Sequence, residues 1–171
     1  MTVETVRGSL RCMGGEGAIH LRDVVGPQIY TESLSGAVSA SRIEGEQLYV
    51  SRTGNVQLRD VRGRIEFNLQ QGDFEIENGS GFLSGKTVAG RVVARMREWS
   101  FADKALIETA TGDVSLALPA VFSAELDLRS RMGAVTSDFN IRHSSERKTN
   151  ASPIATAQRA SEQASNSLGG W

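Results

Sequence analysis

Ser84-Gly85-Lys86-Thr87 has the residue types that close a phosphate-binding loop: a glycine that lets backbone amides approach, a lysine for the phosphate charge and a hydroxyl for magnesium. The spacing does not complete the motif. The pattern needs a second glycine where Ser80 stands and a helix to follow, but Val88-Ala89-Gly90-Arg91-Val92-Val93 continues as strand. These four residues are therefore read as a turn in a β architecture. Glu66, Glu75 and Glu77 are candidates for the paired carboxylates of a glycan-cleaving enzyme, where acid and base must face each other across one bond. Glu66 and Glu75 stand nine residues apart at equivalent places of a repeat, which puts them on different sides of a coil twice that length. A Ser/His/Asp triad would need His20 or His143. His20 alternates with Ile19 and Leu21, facing outward, and His143 opens a polar tail.

Metal chemistry fares no better. Calcium-binding nonapeptide repeats require Gly-Gly-x-Gly-x-Asp in every unit to supply oxygen ligands, and here only Gly72-Asp73 and Gly112-Asp113 place aspartate after glycine. Cys12 is the single cysteine, so neither an intramolecular disulfide nor a CxxC pair can form. Asn78-Gly79-Ser80 and Asn150-Ala151-Ser152 match glycosylation sequons, a pattern short enough to arise by chance. The residues thus assign no catalytic, cofactor-binding or metal site. A protein that is not an enzyme and carries no cofactor is the expectation.

The elements that would position these residues follow from a repeat. Glycine stands at Gly36, Gly45, Gly54, Gly63, Gly72, Gly81 and Gly90, a constant step of nine; Gly17 and Gly26 share the step before one extra residue intervenes. Between them apolar residues fall at the second, fourth and often seventh places, as in Val56, Leu58, Val61 and in Val38, Ala40, Ile43. A helix would turn such glycines onto alternating faces, each at about 1 kcal/mol against alanine. A single strand fails too, because nine is odd and successive apolar sets would point to opposite faces. Each unit must contain a corner, and glycine supplies it. Burial of three side chains does not offset the ordering of nine residues, so units must stack and share hydrogen bonds.

The fold class expected is all-β: a single-chain parallel β-solenoid of short strands with glycine corners. The solenoid domain spans residues 1–142, with about eight coils of eighteen residues giving a rod of roughly 40 Å at about 4.8 Å per coil. Val56, Leu58, Ile65, Phe67, Phe74 and Ile76 should point inward, and Arg59, Glu77 and Arg95 should line up outside. The pattern loosens from Arg91 to Ala110, read as an irregular coil or crossing loop with a helix-compatible Ala102-Asp103-Lys104-Ala105. Residues 143–171, rich in Ser and Ala, are expected to be disordered or a long loop.

Thr111-Gly112-Asp113-Val114-Ser115-Leu116-Ala117-Leu118-Pro119, followed by Phe122–Leu128 and Gly133–Phe139, resembles a bacterial adhesin-type β-solenoid family, a domain of unknown function. The resemblance is close over these segments and looser from 17 to 140. It implies a right-handed solenoid of exported or membrane-tethered proteins, and it carries over no catalytic residues.

Composition narrows the partners. The chain has 171 residues, 39% apolar and 23% charged, with a net charge of −1 and dispersed lysine and arginine, so it has no electrostatic footprint for nucleic acid. Nothing from Met1 onward reads as an export signal and no apolar run is long enough to span a bilayer, so direct membrane insertion is not expected. The functional expectation is a scaffold or adhesin-like binding module that engages a protein or envelope component along its elongated face. Self-association end to end through open solenoid ends is the alternative, and a polysaccharide-acting enzyme a distant third.

Overall fold

The computed structural model describes residues 1–100, 104–120, 125–137, 142–143 and 154–157. They form thirteen strands and no helix: β1 Thr2–Arg7, β2 Leu10–Glu16, β3 Ile19–Ser35, β4 Val38–Thr53, β5 Val56–Gln71, β6 Phe74–Ala89, β7 Val92–Trp99, β8 Ala105–Thr111, β9 Val114–Ala117, β10 Leu126–Met132, β11 Val135–Ser137, β12 Arg142–His143 and β13 Ile154–Ala157. With no helix among the described residues, none is long and apolar enough to cross a membrane.

The protein is a parallel β-solenoid. Each of β3 to β6 is one complete coil, while β1 with β2, β7 with β8, and β9 with β10 make up the others, about seven coils in all. That is one fewer than the glycine count suggests, because the later coils are longer. Register repeats every eighteen residues through the regular centre: Val38, Val56 and Phe74 stack, as do Gln47, Ile65 and Leu83. The first part of each coil lies on one face, here face A, and the last part on the opposite face B.

Three turns shape a regular coil. Two are the glycine corners, for example Gly45 and Gly54, at φ 137° and 138°. The third is a bend within face A, where Thr5, Asp23, Arg42, Asp60 and Asn78 all take left-handed φ between 53° and 61°. Periodicity alone misses this bend, yet it explains the apolar places: the odd step from Leu58 to Val61 keeps both side chains inside only if the chain turns at Asp60.

The core is one column of stacked interiors. Val56, Leu58, Ile65, Phe67, Phe74 and Ile76 are all at most 3% exposed, as alternation predicts. Phe67 and Phe74 stack with ring centroids 3.9 Å apart. Polar side chains also lie inside, most of them close to a corner carbonyl. Ser33, Ser51, Thr87, Thr109 and Ser130 donate their hydroxyls to carbonyls of Gly36, Gly54, Gly72, Gly90 and Gly112. Gln47 Nε2 donates to the Arg62 carbonyl at 3.0 Å and its Oε1 accepts from the Tyr49 hydroxyl at 2.9 Å. The sharp corners bring carbonyls into the interior, and these side chains satisfy them.

Several expectations are corrected. Val92–Trp99 is a strand, β7, parallel to β6 and β9, so this part of the chain is not a crossing loop; it is an irregular coil, because its ladder with β6 shifts register between Ile76 and Ser80. Leu106–Thr109 lies in strand β8, while most of the Phe101–Ala105 stretch falls outside the described residues. Gly85 is not at a corner. It sits mid-strand on face B, where a Cβ would lie 2.5 Å from Phe67 Cδ1, so its lack of a side chain makes room for that ring. The extra residue before Gly36 is a bulge at Gly26-Pro27, across which Val25 pairs with Glu44 and Gln28 with Glu46. Within the 143–171 stretch, Ile154–Ala157 forms β13, antiparallel to β10, and His143 ends β12, antiparallel to β13. Residues 144–153 and 158–171, and with them most of the tail expectation, lie outside the described residues.

Candidate binding face

Face A carries its outward side chains in two rows, because alternate residues of a strand share a side and parallel register stacks them coil upon coil. One row is Thr2, His20, Ser39, Gln57 and Glu75; the other is Glu4, Arg22, Ser41, Arg59 and Glu77. Between them lies a shallow concavity of about 540 Å³ spanning five coils. Its floor is the backbone over the inward residues Leu21, Ala40 and Leu58.

The second row holds Arg59 and Glu77, whose Nη2 and Oε2 are 2.7 Å apart. Both are well exposed, so the pair orders the row and adds at most about 1 kcal/mol. Arg95 is exposed too. The ladder between β6 and β7 slips after Ile76 and recovers at Ser80, so of the expected line of Arg59, Glu77 and Arg95 the first step is bridged by an ion pair and the second crosses the slip. Ser41 extends the same row at the eighteen-residue step, and Arg22 belongs to it too, but the extra residue at Pro27 takes Arg22 out of the eighteen-residue count.

Beside these rows runs the column of left-handed residues. Arg42 donates from Nε and Nη2 to both carboxylate oxygens of Asp23, and Asn78 Nδ2 donates to Asp60 Oδ1 at 3.1 Å while its own Oδ1 accepts from Arg97 Nε. The hydrogen bond and charge of Arg42 hold the Asp23 carboxyl below the usual carboxylate range, and the same contact raises the Arg42 guanidinium further. The Asn78 amide of the first sequon is thus a rung of this ladder; Asn150 of the second lies outside the described residues.

Each chemical candidate has its place. The Asp73 carboxylate accepts from Arg91 N at 2.8 Å and pairs with the Arg91 guanidinium, while Asp113 accepts from Ala134 N at 2.8 Å. The two aspartates that could suggest a calcium roll thus cap backbone amides of the next coil, a role Asn55 repeats toward Asp73 N. Ser84 Oγ donates to the Leu106 carbonyl and Thr87 to that of Gly72, so the residues of the P-loop fragment bond within the stack. Glu66 is on face B, with Arg64 Nε 2.8 Å from its carboxylate, while Glu75 and Glu77 are on face A. His20 is exposed in the row of Thr2 and Ser39, three coils from Glu75, about 14 Å at the usual strand spacing. That geometry sets Glu66 apart from Glu75 and Glu77, and His20 apart from all three, while Glu75 and Glu77 border the same concavity. Among the described residues no three His, Cys, Asp or Glu side chains gather where they could hold a metal.

Neither a curated protein nor a solved structure matches the chain. A comparison with protein families matches residues 3–166 to Toastrack DUF4097, a span that takes in every coil described above. The chain therefore belongs to the Toastrack family, a domain of unknown function whose β-helix-like fold is the one built here from glycine corners and stacked coils.

Proposed function

We propose that this protein is a non-enzymatic, adhesin-like binding module associated with the cell envelope, and that face A is where it engages an extended partner. The observation that carries this reading is the pair of outward rows held in register over five coils, one largely neutral and polar, the other carrying both signs of charge, with Glu4 and Glu77 outside Arg22 and Arg59. A flat, prearranged surface of that kind loses little freedom on binding. Opposite charges along a row fix the register of a partner more than they add affinity. The test is crosslinking capture from envelope extracts with the intact chain and with Arg59→Glu, a substitution that reverses one exposed charge. Capture that depends on Arg59 while both proteins keep the same circular dichroism supports the reading; recovery no better than a scrambled control removes it.

End-to-end assembly is the second reading, favoured by the first coil. Among the described residues β1 and β2 pair only with β3, so their outer edges are unpaired. Sedimentation across a concentration series separates the two, since growth of the particle with concentration belongs to assembly alone.

A further inference from the structure

The geometry points to a second binding site, on the opposite side of the coil from face A: a groove beside the Pro27 bulge that takes a linear, uncharged oligosaccharide. The bulge lies at the head of a concavity of about 440 Å³ between Gln28 and Tyr30 of β3, Glu46 and Leu48 of β4, and Arg64 and Glu66 of β5. Past Gln28 and Tyr30 the concavity continues into another, of about 460 Å³, reaching Arg11 of β2. The whole runs along the stack across four coils, roughly 14 Å at the usual strand spacing.

Its surface is divided lengthwise. Tyr30 and Leu48, half-buried in successive coils, form an apolar strip. Along it stand hydrogen-bonding groups: the exposed Gln28 amide, the exposed Glu46 carboxylate, and the Glu66 carboxylate held by Arg64 Nε at 2.8 Å. The Tyr30 hydroxyl is itself fixed, donating to Glu32 Oε2 at 2.7 Å. A pyranose ring has the complementary division, C–H faces bordered by hydroxyls, and pockets that combine an apolar lining with a few placed polar groups are the usual small-ligand sites. The coil spacing is close to the repeat of an extended β-linked glycan, so successive coils meet equivalent parts of successive sugars. Glu32, Glu46 and Glu66 outnumber the two guanidinium groups of the groove, Arg11 over the Tyr30 ring and Arg64 on Glu66, and this net negative balance disfavours polyanions. An extended peptide is a poorer match, because peptides add to open sheet edges, whereas β3, β4 and β5 are paired on both sides.

Isothermal titration of the whole chain with cellohexaose, chitohexaose and hexagalacturonate tests this. Binding of at least one neutral hexasaccharide is expected, weakened about tenfold or more by Tyr30→Ala and severalfold by Glu46→Gln, with no binding of the anionic chain. Arg59→Glu on face A should leave it unchanged, so this groove and the face A reading fail independently. Glu46 is exposed, so Glu46→Gln keeps the test valid if Tyr30→Ala does not fold. Absence of binding to both neutral chains at millimolar concentration, tighter binding of hexagalacturonate, or wild-type affinity in both groove variants overturns the proposal.

Discussion

Glycine corners and the left-handed bend turn the same coil, but they ask different things of the residue that turns it. At Gly45 the backbone stands at φ 137°, and a Cβ would lie 1.8 Å from the Gly26 carbonyl oxygen in the coil before. Two independent constraints, torsion and contact, both exclude every side chain. The bend is at φ 53° to 61°, a region open to L residues at modest cost, and its side chains reach solvent. Thr5, Asp23, Arg42, Asp60 and Asn78 therefore share one conformation with little chemical likeness. Support differs as well. The glycine corners are held from inside, by Gln47, Ser51, Thr87 and Ser130 on corner carbonyls; the bend is held from outside, by Asp23 with Arg42 and Asp60 with Asn78. The first kind of corner is set by exclusion, the second by exposed and replaceable contacts.

Substitutions that test this difference should fall in order. Gly45→Ala is expected to lose more than about 4 kcal/mol, since the obstructing atom is backbone and cannot turn aside; urea denaturation measures it, and a loss below 1 kcal/mol would break the comparison. Tyr49→Phe attacks the inner support. It leaves the buried Gln47 Oε1 without its donor and should cost about 1–3 kcal/mol. Burial pushes the Tyr49 phenol well above its ordinary value. A group raised in the folded state contributes stability that is complete below the unfolded pKa, about 10, and declines as pH rises beyond it. Denaturation midpoints between pH 9 and 11 should show that decline in the wild type and a shallower one in Tyr49→Phe.

At the bend the changes should be small and can favour stability. Thr5→Asn replaces a β-branched residue by one that tolerates φ 55°, and a gain of about 1 kcal/mol is expected in thermal melts; a loss of the size seen at Gly45 would make the two kinds of corner equivalent. Asp23→Asn should show the smallest effect. The Asp23 carboxyl is lowered chiefly by its hydrogen bond to Arg42, so its contribution is present above about pH 4 and lost as pH falls further. Comparing wild type and Asp23→Asn at pH 7 and pH 3, the wild type should lose more on acidification. High salt should shrink the difference, because the pair is exposed.

The same contrast decides what could be read from the chain. Gly36 to Gly90 announce the coil because no other residue can replace them, and the inward set from Val56 to Ile76 follows from alternation between corners. Arg59 and Glu77 follow from the eighteen-residue coil. The bend leaves no such mark, except in the odd step from Leu58 to Val61. β7 was obscured because its core residue Met96 fits a neighbour rather than a pattern: a Cβ on Gly79 would stand 2.5 Å from the Met96 sulfur, so the long side chain occupies the space that the glycine leaves. Face A is legible from Ser41 to Glu77 but not as whole rows, since His20 and Arg22 join it only across the Pro27 bulge. In the groove Tyr30, Leu48 and Glu66 keep the eighteen-residue step, but spacing alone does not show the concavity that they border. The sequence has no way to state which carbonyl an inner serine meets, and so Ser51 and Ser130 read there as ordinary strand polar residues.

Stacking of each coil on its two neighbours also has a mechanical consequence. Among the described residues the first coil pairs only with β3, so tension along the stack axis would detach it first and pass to the next coil only when it is free. Each release of an eighteen-residue coil such as β5 would lengthen the chain by about 60 Å at 3.3–3.6 Å per residue. Extension would then proceed in steps, even through the eighteen-residue centre and longer in the later coils, each absorbing work while the remaining coils stay intact. Such a stack would yield to shear gradually, as a ratcheted tether does, instead of parting at once.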